Sequence, residues 1–320
     1  MSAHRLGRVA QHVIAAATAP SPASVDAPHE HASDDSSWDD YVTAALARAA
    51  SLGNRGPLAR DDAGRPTEQA LRQMVEGYKQ HGFCVVENVV DPSECASIEA
   101  EFDSLLATQP AKNHGPMHEG PVLDRQGNPS PFGGYMNVSK RGVVGIINHP
   151  LMMMDSALAC YGHPDIMRSV AAINGDDFIA MNEGCFHKAA HEGVPTGWHQ
   201  DGRTHWDESG AALAQGLTGA EGALTHGLNL SVCITPATPE SGLWVVPGSQ
   251  HQWRLAPWAG RARAEDGSAL TEGAFPPISE RLPDAVPVVM KPGDIMIVDR
   301  SSLHGCARNP QAVRLASCFA

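Results

Sequence analysis

The sequence predicts an α+β domain: helices come first, a β-sandwich or open barrel follows, and the helices buttress one of its faces. Three observations carry this. Helical spacing of apolar residues is confined to the stretch between Trp38 and about residue 175. Beyond it, short runs rich in β-branched residues alternate with Gly and Pro. The 320 residues include 31 Gly and 24 Pro, about 17% together against a usual ~12%, an excess that favours many tight turns over a helix bundle.

Residues 1–37 read as a flexible tail ahead of a single domain, 38–320: an alanine-rich stretch runs into Pro20-Ser21-Pro22 and then a polar segment. Trp38, Tyr41, Val42, Ala45 and Leu46 keep helical spacing after the cap candidates Ser36 and Ser37, with Gly53 as the stop. Leu71, Met74, Val75 and Tyr78 do the same after Pro66-Thr67, ending at Gly82, and Phe83 to Val89 follows as a strand. Asp91-Pro92-Ser93-Glu94 is a helix start: a capping Asp, Pro at the first helical position, and Glu placed to reach back. Ile98, Phe102, Leu105 and Leu106 form that helix's buried stripe, and Pro164-Asp165 opens another carrying Ile166, Met167, Val170 and Ala171. The expected strands are Phe178 to Ala180, Leu228 to Thr235, Leu243 to Val246, Val286 to Met290, Ile295 to Val298 and Ala312 to Cys318. Asp207 to Gly227, with five Gly and no strand period, reads as a lid or binding loop.

Composition narrows the function. A net charge of −13 argues against nucleic acid, which requires a basic footprint. No apolar run approaches the ~20 residues that cross a bilayer, so no membrane partner is expected. Seven Cys without a C-x-x-C indicate reduced thiols and an intracellular, cytoplasmic protein. The tail adds an alternative. Arg5-Leu6, five residues, then His12-Val13 resembles an N-terminal peroxisomal import signal, departing at Val13, and the acid-poor start also resembles a mitochondrial transit peptide.

His199-Gln200-Asp201 is the first chemical feature. On a strand, alternate side chains share a face, so His199 and Asp201 would project together as two metal ligands must. With 16 His and 20 Asp, about one such spacing is expected by chance, and His163-Pro164-Asp165 and His205-Trp206-Asp207 repeat it. Support comes from the C-terminal segment. Pro292-Gly293-Asp294 is a turn, Ile295 to Val298 a buried strand, and His304 follows. Arg314 lies among Val313, Leu315 and Ala316, and an Arg in an apolar strand is costly unless it meets an anion. Two His and one carboxylate hold Fe(II) on one face and leave three positions open. A 2-oxo diacid takes two of them, with its distal carboxylate on a cation, and O2 takes the last.

These pieces resemble the phytanoyl-CoA dioxygenase family of Fe(II)/2-oxoglutarate oxygenases. The matching segments are Gly82 to Val86 followed by Asp91-Pro92, Trp198 to Asp201, Thr238 to Ser249, and Pro292-Gly293-Asp294 through His304-Gly305 to Arg314. They occur in family order across roughly residues 70–320. The resemblance implies a double-stranded β-helix (jelly-roll, cupin-like) core with mostly N-terminal helices. It implies iron on His199, Asp201 and His304, 2-oxoglutarate on Arg314, and Gln200, Met181 and Lys188 among co-substrate or pocket residues. It further implies a hydroxylase of a small organic molecule (acyl-CoA, amino-acid-like or secondary metabolite) that consumes O2 and releases succinate and CO2. In related halogenases a small residue replaces the carboxylate, so Asp201 favours hydroxylation.

Other residues carry weaker readings. Trp198, Trp206 and Trp244 are candidates for pocket lining, with core packing as the plainer role of a Trp. His187 and His191, four apart, would make a zinc hydrolase site on a helix, but Gly184, Gly193 and Pro195 argue against a helix there. Met152 to Met154 read as packing residues, Cys185 and Cys306 as inert thiols, His205 as a residue of the site entrance, and Asp299 and Arg300 as supports for His304. A β-helix that binds a ligand without oxidising it is the rival from another class. Against it, a retired site has no need of three ligands and a buried cation.

Overall fold

The computed structural model describes residues 35–108, 136–138, 144–148, 150–178, 183–188, 196–201, 227–251, 281–306 and 315–319. In chain order the elements are α1 (Asp35–Ser51), β1 (Arg55–Gly56), α2 (Glu68–His81), β2 (Phe83–Val86), α3 (Pro92–Thr108), β3 (Met136–Val138) and β4 (Val144–Asn148). They continue with α4 (Pro150–Met153), α5 (Asp155–Tyr161), α6 (Pro164–Asn174), β5 (Gly184–Lys188), β6 (Thr196–His199), β7 (Leu228–Cys233) and β8 (Leu243–Val245). A 3-10 turn (Ser249–His251), β9 (Val286–Pro287), β10 (Ile295–Asp299), β11 (His304–Cys306) and β12 (Leu315–Phe319) complete the order.

The strands form two sheets. One has eight strands in the order β1-β2-β10-β7-β12-β5-β4-β3, and the other four in the order β6-β11-β8-β9. All pairings are antiparallel except β1 with β2. Alternation along each strand sorts the side chains into layers. Cys84, Val86, Leu230, Val232, Ile295 and Ile297 join the stripes of α2, α3, α5 and α6 in one core. Phe83, Val85, Cys233, Met296 and Val298, facing the other way, pack on Val245 and Val286 of the smaller sheet. On that sheet's far side Trp198, Trp244 and Leu303 pack with Ala45, Trp38, Tyr41 and Val42 of α1. The order of layers is therefore helices, large sheet, small sheet, α1. Because β10 is buried throughout, both faces read as apolar, as a central strand requires.

The helix boundaries follow their predicted signals. Thr67 accepts from the Ala70 amide and Gly82 adopts φ 78° at the end of α2. Asp91 and Glu94 form the reciprocal cap, with Asp91 N–H donating to Glu94 Oε2 at 3.0 Å and Ser93 N–H donating to Asp91 Oδ1 at 2.8 Å. His163 Nδ1 accepts from the Asp165 amide at 3.2 Å ahead of Pro164, and Asp165 binds Arg60 and Arg168 at 2.8 and 3.1 Å. This pair thus serves as cap and ion pair.

Several boundaries differ. α1 starts at Asp35, inside the expected tail, and Arg281 Nη1 donates to the Ser37 carbonyl at 2.9 Å. Residues 1–34, with both targeting motifs, lie outside the described residues. β2 stops at Val86 before Asn88, whose φ is 56°. β9 shrinks to two residues, since Pro287 has no amide for the ladder. Phe178 is not in a strand, and residues 179–180 of the expected strand lie outside the described residues; β5 follows at Gly184–Lys188, where Cys185 is buried as expected of an inert thiol. β3, β4, α4 and α5 were not foreseen, and Met153 and Met154 pack in the helix-side core as expected. Among the described residues no helix is long and apolar enough to cross a membrane.

Two buried polar features tie the sheets to the helices. In the turn before β10, the Gly293 carbonyl accepts from the Val89 and Val90 amides at 2.9 and 3.0 Å, while Asp294, 1% exposed, accepts from Asn88 and Lys291 amides at 3.1 and 2.9 Å. Gly293 has φ 91°, and a Cβ there would overlap the Val90 carbonyl oxygen. At the far end of β10, Asp299 accepts from the Ser301 amide at 2.7 Å and from the hydroxyl of the buried Tyr78 on α2. Burial pushes the Asp299 carboxyl up to about 7, over the opposing effect of these donors.

Gly293→Ala should destabilise the fold by about 2 kcal/mol or more, read as a lower urea midpoint at unchanged slope. The Asp299 shift predicts a pH dependence. The unfolded carboxyl titrates near ~3.9 and the folded one at about 7, so the native state holds the extra proton between them. Its contribution is full below the unfolded value and is lost as pH rises through 7. Asp299→Asn should therefore gain stability relative to the parent chain between pH 5 and pH 8, measured by urea unfolding at both.

Candidate metal centre

His199 is the last residue of β6 and His304 the first of β11, and the two are paired directly opposite each other in the antiparallel ladder. Trp198 and Leu303, one residue earlier on each side, are buried against α1, so alternation turns both imidazoles to the opposite face. Their ring centroids are 4.2 Å apart. Asp201 lies beyond the strand end, so strand parity does not place it. Its amide donates to the Arg300 carbonyl at 2.9 Å, and the Gln200 side chain donates to the Ser301 carbonyl at 2.5 Å. Those bonds fold the segment after His199 along the loop that leads to His304.

The donor set converges. Asp201 Oδ1 is 3.2 Å from His199 Nε2, Asp201 Oδ2 is 3.5 Å from His304 Nε2, and one ligand atom from each of the three residues lies within 4.8 Å of the others. Each Nδ1 sits 2.8 Å from a backbone carbonyl two residues earlier, Gly197 for His199 and Ser302 for His304. A carbonyl can only accept, so each Nδ1 carries a proton and Nε2 is the nitrogen left for a metal, on His199 once it gives up the proton that it donates to Asp201. This is the tautomer a metal needs, fixed by the hydrogen bonds behind it. His304 is buried, whereas the Asp201 side chain keeps 28% of its surface open. Two imidazoles and one carboxylate in this arrangement fit a divalent first-row ion such as Fe(II).

The electrostatics are those of a site awaiting a cation. Burial alone would raise the Asp201 carboxyl, but the imidazoles of His304 and His199 and the Asn229 amide outweigh it and hold it well below the usual carboxylate range. Burial would lower His199, but its hydrogen bond to Asp201, that group's charge and the Gly197 carbonyl raise it on balance. Burial and the neighbouring His199 push His304 down, against the pull of Asp201.

The other predicted residues separate. Trp198 and Trp244 are core residues, 2% and 1% exposed, rather than pocket lining. Trp244 stacks on Tyr41 with centroids 5.2 Å apart and donates its indole N–H to the Pro239 carbonyl at 2.7 Å. The alternation that aims His199 inward sends Trp198 outward. His187 sits in strand β5, not on a helix, which removes the spacing argued for a zinc pair with His191. Arg314, Met181, Trp206, His191 and His205 lie outside the described residues, as does the side chain of Lys188. Asp299 and Arg300 flank the centre as expected: Asp299 braces the loop, and Arg300 offers its carbonyl to Asp201. Asn229 was missed. It donates from Nδ2 to Asp201 Oδ2 at 2.5 Å, and its signal was a polar residue between Leu228 and Leu230 in an apolar strand.

Comparison with known proteins places the fold. Among solved structures, AviO1 from Streptomyces viridochromogenes Tue57 superimposes with TM-score 0.51 at 18% identity, over 77% of this chain and 90% of AviO1. EctD from S. alaskensis, solved with 2-oxoglutarate and 5-hydroxyectoine, gives TM-score 0.51 at 19% identity, over 83% of this chain and 80% of EctD. No curated protein sequence matches. The family model of phytanoyl-CoA dioxygenase (PhyH) matches residues 78–312. With most of the chain matched, this protein belongs to the phytanoyl-CoA dioxygenase (PhyH) family, which implies a cupin-like jelly-roll fold.

Proposed function

We propose that the chain is an Fe(II)- and 2-oxoglutarate-dependent dioxygenase that hydroxylates an unactivated C–H bond of a small organic molecule, on a double-stranded β-helix. The observation that carries this reading is the convergence of the His199, Asp201 and His304 ligand atoms within 4.8 Å of one another in a chain of this family. His199, Asp201 and His304 would hold the iron. When bound with 2-oxoglutarate and O2, iron supplies the oxidising chemistry that releases succinate and CO2 and puts a hydroxyl on carbon. The chain positions the reactants and excludes water. Arg314 is assigned the distal carboxylate of 2-oxoglutarate, as a bidentate partner, with Met181 and Lys188 beside the co-substrate. Gln200 acts as a clamp between the ligand segments, through its bond to Ser301. Keeping a carboxylate at Asp201 leaves no vacant position for a halide and favours hydroxylation. Trp206 and the loop 207–227 are assigned to the substrate side, where acyl-CoA, amino-acid-like and secondary-metabolite substrates are the classes to test.

Succinate formation should follow the ligands. His199→Ala and Asp201→Ala should each lower it to background in an anaerobically loaded, O2-initiated assay; normal turnover in either would reject the assignment. Metal affinity should also depend on pH. His199 is raised above its ordinary value, His304 is lowered and Asp201 stays ionised, so the His199 proton is the one an incoming ion displaces. Co(II) affinity measured by calorimetry should rise up to tenfold per pH unit through and just above ~6.5, releasing one proton per ion, and then level off.

A further inference from the structure

We infer that Asn229 is a positioning residue that divides the labour of the two Asp201 oxygens: it occupies Oδ2 so that Oδ1 alone is offered to the metal. The inference rests on the metal reading above and extends it to a residue outside the ligand set. Leu230 packs in the helix-side core, so alternation along β7 puts Asn229 on the opposite face, toward the small sheet. Its backbone is held in register opposite Val298 of β10, which makes it a rigid platform. From there Nδ2 donates to Asp201 Oδ2 at 2.5 Å; Oδ1 stands 3.2 Å from His199 Nε2 and Oδ2 3.5 Å from His304 Nε2, so both oxygens face the ligand nitrogens and Oδ2 is the one that carries the Asn229 bond. A carboxylate only accepts, so the amide nitrogen must be the donor.

The chemistry explains why an amide stands there. Asp201 is not fixed by a strand of its own; among the described residues its backbone is held by Arg300 and by the neighbouring Gln200 clamp. Its carboxylate would otherwise be free to turn and chelate through both oxygens. Chelation would use one of the three positions that a bidentate 2-oxo acid and O2 need. Asn supplies an uncharged donor that holds Oδ2 without competing for the cation. An Asp at 229 would add a charge and bind the ion itself.

The test uses the full-length apo chain and Co(II) as probe, followed by calorimetry and by the visible spectrum, which reports the ligand number. Asn229→Ala removes the donor, and Asn229→Leu removes it at similar volume in case the smaller residue fails to fold. Both variants should show an altered Co(II) spectrum, that of the added oxygen when Asp201 chelates, at a circular dichroism signature matching the parent. Variants that keep the parent's spectrum, at any affinity, would overturn the role of Asn229 alone. Failure of the parent chain to take up Co(II) would overturn the metal reading together with it.

Discussion

The centre depends on one register: His199 opposite His304 in the ladder between β6 and β11. Opposed residues of an antiparallel pair stand ~4.5–5.5 Å apart and share a face, so this single pairing brings together two imidazoles 105 residues apart in sequence. A slip of one residue would exchange each His for the apolar residue before it and turn the ligands into the α1 layer. Trp198, Trp244 and Leu303 oppose that slip, because each is buried against Tyr41, Trp38 and Ala45. The aromatic layer therefore acts on the chemistry from behind, by making the alternative register expensive. Arg281 adds to this wall, lying 5.3 Å over the Trp38 ring.

The loop between β10 and β11 is the second support. Gly82, at the end of α2, accepts from the Asp299 amide at 2.8 Å and from the Ser302 hydroxyl at 3.0 Å. A Cβ at Gly82 would collide with Ser302 and Gln250, so glycine is needed both for the left-handed cap and for the close approach. Ser249 then accepts from the Leu303 amide at 2.8 Å, one residue before His304. Each such bond is worth about 1 kcal/mol net, but several converge on six residues. The result is a ligand whose Nδ1 already faces a carbonyl before any metal arrives. The motif residues Gly82, Gly248 and Ser249 are explained by this scaffold, without contact to the reacting groups.

Much of this was legible in the sequence because it is local. The capping pair Asp91 and Glu94, the glycine stop at Gly82, the turn at Pro292-Gly293-Asp294 and the apolar run of β10 each depend on neighbours within a few residues. Short elements without a strong period were not legible: β4 pairs with β5 and β5 with β12, partners far along the chain that local spacing does not encode, and β3 is the edge strand beside β4. The Trp residues show the same limit. Composition marks them as buried or lining, but only the parity of β6 and β8 against α1 decides which.

By itself the sequence narrowed the chemistry: a His-x-Asp, a later His in a Gly-bounded strand and an Arg among apolar neighbours are compatible with a metal and a diacid, and the resemblance to a family, not the His-x-Asp spacing that recurs twice elsewhere, singled that reading out. Tertiary structure alone decided how the ligands meet. Asp201 is held by Arg300 and Asn229 rather than by strand alternation, and the imidazole tautomers are set by the Gly197 and Ser302 carbonyls. The physical reason is that hydrogen-bond direction and cross-strand register are properties of assembled backbone. They appear only when segments distant in sequence are brought side by side.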